Sequence, residues 1–254
     1  MVPPARVTGR RRRDVILHAV GDLGYLSIGE VMQHAGISAA TARRDIRLLA
    51  NDGLVRLTRA GVAAALKDDG SRGFGLPDPR HQDAARLAAG MVRAGETIAI
   101  GAGLLPAQLA AALVDVPDLT IVTNSLLVCM ALDGAPGIEV LMTAGVVRPL
   151  ARAVDGALVN MSLTGLRVST LFLSADGVTG VRGLSRHDVA LAEVDKGLVA
   201  TAQRVVGIAE AACVGLDSMV QTVPIARLSG LVSTAEADPV HVDKLRRAGV
   251  TVVV

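Results

Sequence analysis

Aromatic residues are nearly missing from this chain of 254 residues, which has no Trp, one Tyr and two Phe. Single-stranded nucleic acid is held largely by stacking its bases on aromatic rings, so the scarcity argues against single-stranded DNA or RNA as a target. Cysteine is almost as rare. Cys129 and Cys213 lie far apart in apolar surroundings without metal-ligand spacing, and read as reduced core thiols. His18, His34, His81, His187 and His241 are scattered and show no zinc pattern, so neither a metal nor another cofactor is expected. Long apolar runs are missing as well: apolar residues make up 51% of the chain, mostly Ala, Val and Leu, yet charge or proline breaks every run well short of a membrane span. No signal peptide precedes the basic start, and the expectation is a cytoplasmic protein without a membrane partner.

Positive charge is present and unevenly placed. Residues 1–66 hold ten arginines and no lysine against five acidic residues, a net of +5, while the remainder carries −3. Within that basic part, Ile28, Val31 and Met32 stand at the i, i+3, i+4 positions of a short helix. After a turn containing Gly36, Ile46 and Leu49 repeat the pattern and leave Arg43, Arg44 and Arg47 on other faces. Two helices locked by apolar stripes, the second one basic, form a helix-turn-helix whose second helix fits the major groove of double-stranded DNA. Ser38 is a candidate N-cap of that helix, and Thr41 and Arg43 fall in its first turns, where bases and phosphates are met. After Gly53 the pattern changes to strand-like alternation, with Arg56 and Arg59 on a short hairpin that reads as the wing of a winged helix. The expected DNA contacts are Ser38, Thr41, Arg43, Arg44, Arg47, Arg56 and Arg59. The run Arg10 to Arg13 reads as a minor-groove arm, a phosphate clamp or the solvated start of a first helix, with phosphate proximity favoured.

Residues 67–80 are rich in Gly, Pro and charge, lack any period, and read as a linker between a DNA-binding domain at 1–66 and a second domain at 81–254. Beyond the linker, helical pattern at 82–93 is followed by short continuous apolar runs at 97–100, 119–122, 138–142, 171–173, 205–209, 228–232 and 250–254. Helical stretches lie among them at 108–113, 125–132, 188–202 and 239–247. Buried runs alternating with helices predict an α/β domain, its sheet mostly parallel and covered on both faces.

Ligands of such sheets bind outside the carboxyl ends of the strands. The residues found there are Gly101-Ala102-Gly103, Thr123-Asn124-Ser125, Thr143-Ala144-Gly145 with Arg148, and Ser174-Ala175-Asp176-Gly177 with Gly183. This set suits a phosphorylated, polyhydroxylated small molecule: backbone N–H groups hold the anion, Arg148 adds charge and Asp176 accepts hydroxyls. Strand-to-helix turns also favour the same residue types as caps.

Thr41 with Arg43-Arg44-Asp45, Thr123-Asn124-Ser125, Gly145 with Arg148-Pro149, Ala175-Asp176-Gly177 with Gly183-Leu184, and Ala192-Glu193-Val194 occur in one order. In this the chain resembles the DeoR family of bacterial transcription regulators over nearly its whole length. The resemblance implies an N-terminal winged helix, a C-terminal sensor domain similar to ribose-5-phosphate isomerase and CoA-transferase folds, a phosphorylated sugar as the effector that lowers operator affinity, and a homo-oligomer. It adds Glu193 and Lys196 to the candidate effector residues. Departures are concentrated in the cleft. Gly101-Ala102-Gly103-Leu104-Leu105 stands where the family usually has Asp-Ser-Gly-Thr-Thr, so a carboxylate and three hydroxyls are missing. Ala144 replaces the first of a Gly pair, and Asp195 takes the place of a lysine, with Lys196 one position later, about 100° around a helix.

The functional expectation is a repressor of carbohydrate-metabolism genes relieved by a phosphorylated sugar or related metabolite. Two other readings stand beside it: a sensor domain reduced to an oligomerisation scaffold, and a sugar-phosphate isomerase or deaminase with Glu193 and Asp176 as its acid/base candidates.

Overall fold

The computed structural model describes residues 12, 13, 15–17, 19, 20, 25–51, 54–57, 61–64 and 79–254. The chain divides into two compact units, residues 1–73 and 74–254.

In the first unit, helical residues between 12 and 20 form α1. Then follow β1 (Tyr25–Ser27), α2 (Ile28–Ala35), α3 (Ala39–Asn51), β2 (Val55–Leu57) and β3 (Gly61–Ala64). Ser27 and Glu30 make a reciprocal capping box that starts α2. Gly36 ends that helix at φ 63°, a left-handed conformation that glycine adopts without steric cost. Ile16, Val20, Leu26, Val31, Ala42, Ile46, Leu49, Val55 and Val62 close one small core. The three strands pair antiparallel in the order β1-β3-β2, which confirms the wing; β1 itself carried no sequence signal. Arg59 lies outside the described residues, as do residues 67–78 of the expected linker.

The second unit begins with α4 (Pro79–Ala89), so helix starts two residues inside the stretch read as linker. It continues through β4 (Thr97–Ile100), α5 (Leu104–Ala112), β5 (Leu119–Thr123), α6 (Leu126–Ala131) and β6 (Ile138–Met142). Next come β7 (Val146–Arg148), β8 (Ala153–Asp155), α7 (Ala157–Leu163), β9 (Val168–Ser174), β10 (Gly177–Thr179) and β11 (Gly183–Arg186). The chain ends with α8 (Val189–Thr201), β12 (Ala202–Ala209), β13 (Val220–Val223), β14 (Leu228–Ser233), α9 (Pro239–Arg247) and β15 (Thr251–Val253). Seven strands form one wholly parallel sheet in the order β15-β14-β12-β9-β4-β5-β6.

Alternate residues of these strands feed two cores. Ala99, Val122, Leu171, Leu173 and Val205 pack on one face with residues of α7, α8 and α9. Ile98, Ile100, Ile121, Phe172, Val206 and Ile208 pack on the other with α4, α5 and α6. The continuous apolar runs follow from this two-sided burial. Where the sequence shows only loop after β6, the structure has the hairpin β7–β8 and α7. β10, β11 and β13 add a small antiparallel sheet.

β11 is joined to α8 by an ion pair buried at both ends, Arg186 Nε to Asp195 Oδ2 at 2.7 Å. Burial pushes the Asp195 carboxyl up to about 6, against the opposing pull of the Arg186 guanidinium. A carboxyl raised in this way binds its proton more tightly folded than unfolded. Its stabilising contribution is therefore complete below the ordinary carboxylate pKa and is lost as pH rises through about 6. Asp195→Asn abolishes that titration. In denaturant unfolding, the parent should lose roughly 2–3 kcal/mol relative to this variant between about pH 4 and pH 7.5; a pH-independent difference would mean that Arg186 keeps the carboxylate ionised throughout.

Candidate functional site

Two surfaces carry the candidate residues, one in each unit. On α3, Arg43, Arg44 and Arg47 are exposed, while Ala42, Ile46 and Leu49 on the same helix are buried. Ser38 precedes the helix and caps it: its Oγ accepts from Thr41 N at 3.4 Å and lies 3.0 Å from Thr41 Oγ1. The two hydroxyls therefore stand together at the helix start, beside the arginines. Arg56 lies in strand β2 of the wing.

Arg12, one of the four consecutive arginines, makes a contact within the fold. Its Nε lies 3.0 Å from Asp45 Oδ2, and Asp45 is only 3% exposed. The acidic residue that follows Arg43 and Arg44 therefore turns inward and fastens α1 to α3.

The second surface lies where the parallel sheet changes direction. From β4 the chain adds β5 and β6 on one side, then returns to place β9 on the other, so the loops after β4 and β9 diverge over a crevice. They are tied at its base. Gly101 N donates to Phe172 O at 2.9 Å, and Ser174 Oγ donates to Ala102 O at 2.8 Å. A side chain at Gly103, where φ is 148°, would strike Ser174 Oγ. Arg186 Nη2 donates to Ser174 O and Oγ at 3.0 and 3.2 Å, so the buried Arg186–Asp195 pair stands directly behind this junction. Ala102, Ala153 and Leu191 form an apolar cluster that brings together the β4 loop, hairpin β7–β8 and α8.

The triad after β5 is fully buried. Thr123 Oγ1 donates to Ile100 O at 2.6 Å and accepts from Ser125 N, and Ser125 Oγ caps α6 by accepting from Val128 N. These two hydroxyls are thus occupied by the fold. Asn124 differs. Its Nδ2 donates to Val154 O at 3.1 Å, its main-chain oxygen accepts from Val154 N, and its Oδ1 has no partner. The Thr143 hydroxyl at the end of β6 is likewise buried and unpartnered.

Gly145, at φ 141°, leaves room for the Asp155 carbonyl, which an added Cβ would approach to 2.5 Å. Arg148 Nε lies 2.6 Å from Asp155 Oδ2, an ion pair between an exposed guanidinium and a buried carboxylate. Asp176 is exposed and accepts from His187 N at 2.7 Å. Gly177 and Gly183 are buried positions of the β10–β11 hairpin where side chains would meet the main chain of Leu216 and Val223. Glu193 and Lys196 pair with each other at 2.6 Å on the exposed side of α8.

The structure therefore gathers Gly101, Gly103, Asn124, Gly145, Arg148 and Asp176 around the strand ends. It gives Thr123, Ser125, Gly177 and Gly183 work within the fold, and it places Glu193 and Lys196 in a pair of their own. Arg186 escaped the sequence reading altogether. Its signal was Asp195, an acidic residue that falls on the apolar face of α8 with Leu191, Val194 and Leu198 and so needs a buried cation. Cys129 and Cys213 are unpaired and only half-buried, less enclosed than the core thiols expected, and desolvation raises both. Among the described residues no His, Cys, Asp and Glu side chains group as metal ligands, and no helix is long and apolar enough to cross a membrane.

Comparison with known proteins assigns both units. Residues 12–67 match the DeoR-like helix-turn-helix domain, and residues 79–235 match the DeoR C terminal sensor domain. The chain is 24% identical to a putative aga operon transcriptional repressor of Escherichia coli O157:H7, over 98% of this chain and 95% of that protein. It is 30% identical to the lactose phosphotransferase system repressor of Lactococcus lactis subsp. lactis, over 67% and 69%. It is 25% identical to the L-fucose operon activator of Haemophilus influenzae, over 87% and 90%. Among solved structures, ribose 5 phosphate isomerase A from Neisseria gonorrhoeae overlaps 58% of this chain and 56% of its own at a TM-score of 0.41 and 17% identity. With a DNA-reading head and a sensor domain each matched by its own family model, the chain belongs to the DeoR family of transcription regulators.

Proposed function

We propose that this protein is a repressor of carbohydrate-metabolism genes that binds a duplex operator through α3 and the wing. It releases the operator when a sugar-derived metabolite, a phosphorylated sugar or a related compound, occupies the strand ends of the sensor domain. The observation that carries the DNA half is the α3 surface: three exposed arginines beside a capped helix start that presents Ser38 and Thr41. Arg43, Arg44 and Arg47 hold phosphates, Ser38 and Thr41 stand near base edges, and Arg56 and Arg59 bring the wing to the backbone. The printed names of the relatives, which refer to the aga operon, lactose and L-fucose, support a carbohydrate context.

The effector half rests on the convergence of Gly101, Asn124, Arg148 and Asp176 at the switch point of the sheet. A ligand there shifts the operator equilibrium only by as much as it prefers the released state. The protein acts as a homo-oligomer in the cytoplasm, placing two heads on repeated half-sites. It acts as a regulator without turnover, a reading supported by relatives whose printed names are repressors and an activator, and Glu193 pairs with Lys196 on an exposed face of α8.

Fluorescence polarisation of the duplex upstream of the protein's own gene tests this reading. Saturable binding relieved by a sugar-derived compound is expected. Absence of binding at low salt overturns it, and so does turnover of a pentose or aminosugar phosphate that Glu193→Ala abolishes. Arg44→Ala should weaken operator binding severalfold and reduce the slope of log affinity against log salt by about one, the loss of one phosphate contact. Unaltered affinity across a salt series removes Arg44 from the interface.

A further inference from the structure

We infer that hairpin β7–β8 and helix α7 form the contact between two copies of this chain, with β7 of each copy lying against β7 of the other across a two-fold axis. The inference rests on the homo-oligomer proposed above and names the surface that makes it.

Surface that faces water ordinarily carries charge, and this face carries little. Residues 141–166 hold three charged side chains, Arg148, Arg152 and Asp155, a share below the 20% of the whole chain. Asp155 is buried and ion-paired with Arg148, and Arg152 is engaged as well. α7 has no charge at all. Its Val159 and Leu163 turn into the core, while Leu158 and Met161 stand outward, where a helix at a monomer's surface presents polar groups. Every residue from Ala144 to Leu150 is exposed. A side chain added at Gly145 would meet Val154 and Val159, so the start of β7 lies beside α7, and the apolar side chains of the hairpin, Val146, Val147 and Leu150, adjoin those of the helix. These five residues are 50–68% exposed. Together they show on the order of 500 Å² of apolar surface, the upper end for a monomer, so two copies face to face bury about 1,000 Å² from these residues alone, the size a specific interface requires.

The backbone points to the same occupant. Val147 pairs with Val154, and Val154 N donates to Asn124 O, away from β7. At such a position of an antiparallel pair both residues turn their N–H and C=O outward, so those of Val147 face away from β8, and no strand among the described residues pairs with them. A second β7 running antiparallel supplies the missing partners: the N–H of each Val147 donates to the carbonyl of the other, and a two-fold axis is what sets two identical strands antiparallel. Pro149, without an N–H, ends the edge two residues on and confines the pairing to a short segment. β7 also carries Arg148 of the effector cleft. A ligand that draws Arg148 from Asp155 acts on the strand in the contact, which couples ligand binding to the arrangement of the two copies.

Sedimentation velocity of the full-length protein over a dilution series decides the matter. The parent should associate, and Val147→Glu and Met161→Glu, each of which places like charges across the axis, should weaken that association about tenfold or more. Val181→Glu, on an exposed turn between β10 and β11, should associate like the parent. The parent's own amides give a check that needs no variant: hydrogen exchange over residues 144–150 should slow as the concentration rises from monomer to assembly. Association that neither β7 nor α7 variant weakens, equal weakening by Val181→Glu, or exchange in β7 that is the same in dilute and concentrated protein overturns the inference and leaves the homo-oligomer standing. A parent that stays monomeric at every concentration overturns both.

Discussion

The contact on which the sensor unit turns is small: the Ser174 hydroxyl donating to the Ala102 carbonyl across the gap where strand addition reverses. Two loops that diverge at that gap would otherwise expose main-chain polar groups over an apolar sheet. Gly103 permits the approach because no Cβ stands in the way, and Arg186 reaches Ser174 from behind. Once Arg186 is committed there, its charge needs a buried counterion, which Asp195 supplies from α8. Cleft geometry, the anchoring of β11 and the identity of residue 195 are therefore one linked arrangement.

This linkage explains why some features were legible in the sequence and others were not. Every strand of the parallel sheet was visible: the inner strands because burial on both faces writes a continuous apolar run, the edge strands β6 and β15 by their apolar composition alone, and α9 was read at its observed limits from Pro239 to Arg247. β7, β8, β10, β11 and β13, at three to four residues each, are too short to establish a period. The cleft was legible by position but not by role. Thr123, Asn124 and Ser125 look alike in sequence as small polar residues after a strand; only the folded chain separates the two occupied hydroxyls from the unpartnered amide oxygen. Asp195 appeared as the loss of a lysine, and its meaning required Arg186, nine residues away.

Arginine serves two ends in this molecule. On α3 the guanidinium groups are exposed, and their hydration and charge remain available to an anion. At Arg12 and Arg186 the same group is matched to a carboxylate that is itself buried, which fixes an element, whereas Arg148 meets the buried Asp155 and still keeps its guanidinium exposed. Net charge alone does not distinguish these uses; the exposure of the guanidinium does.

The wing illustrates what an absent atom accomplishes. Gly61 lies opposite Ser27, with the Leu26 carbonyl where a side chain would begin, so β3 sits against β1 at a separation no other residue would permit. Ser27 in turn starts α2, whose core contacts set the position of α3. The distance from wing to recognition helix is thereby held like the jaws of a caliper at one setting, and a duplex is gauged by the width of its groove as well as by the bases within it.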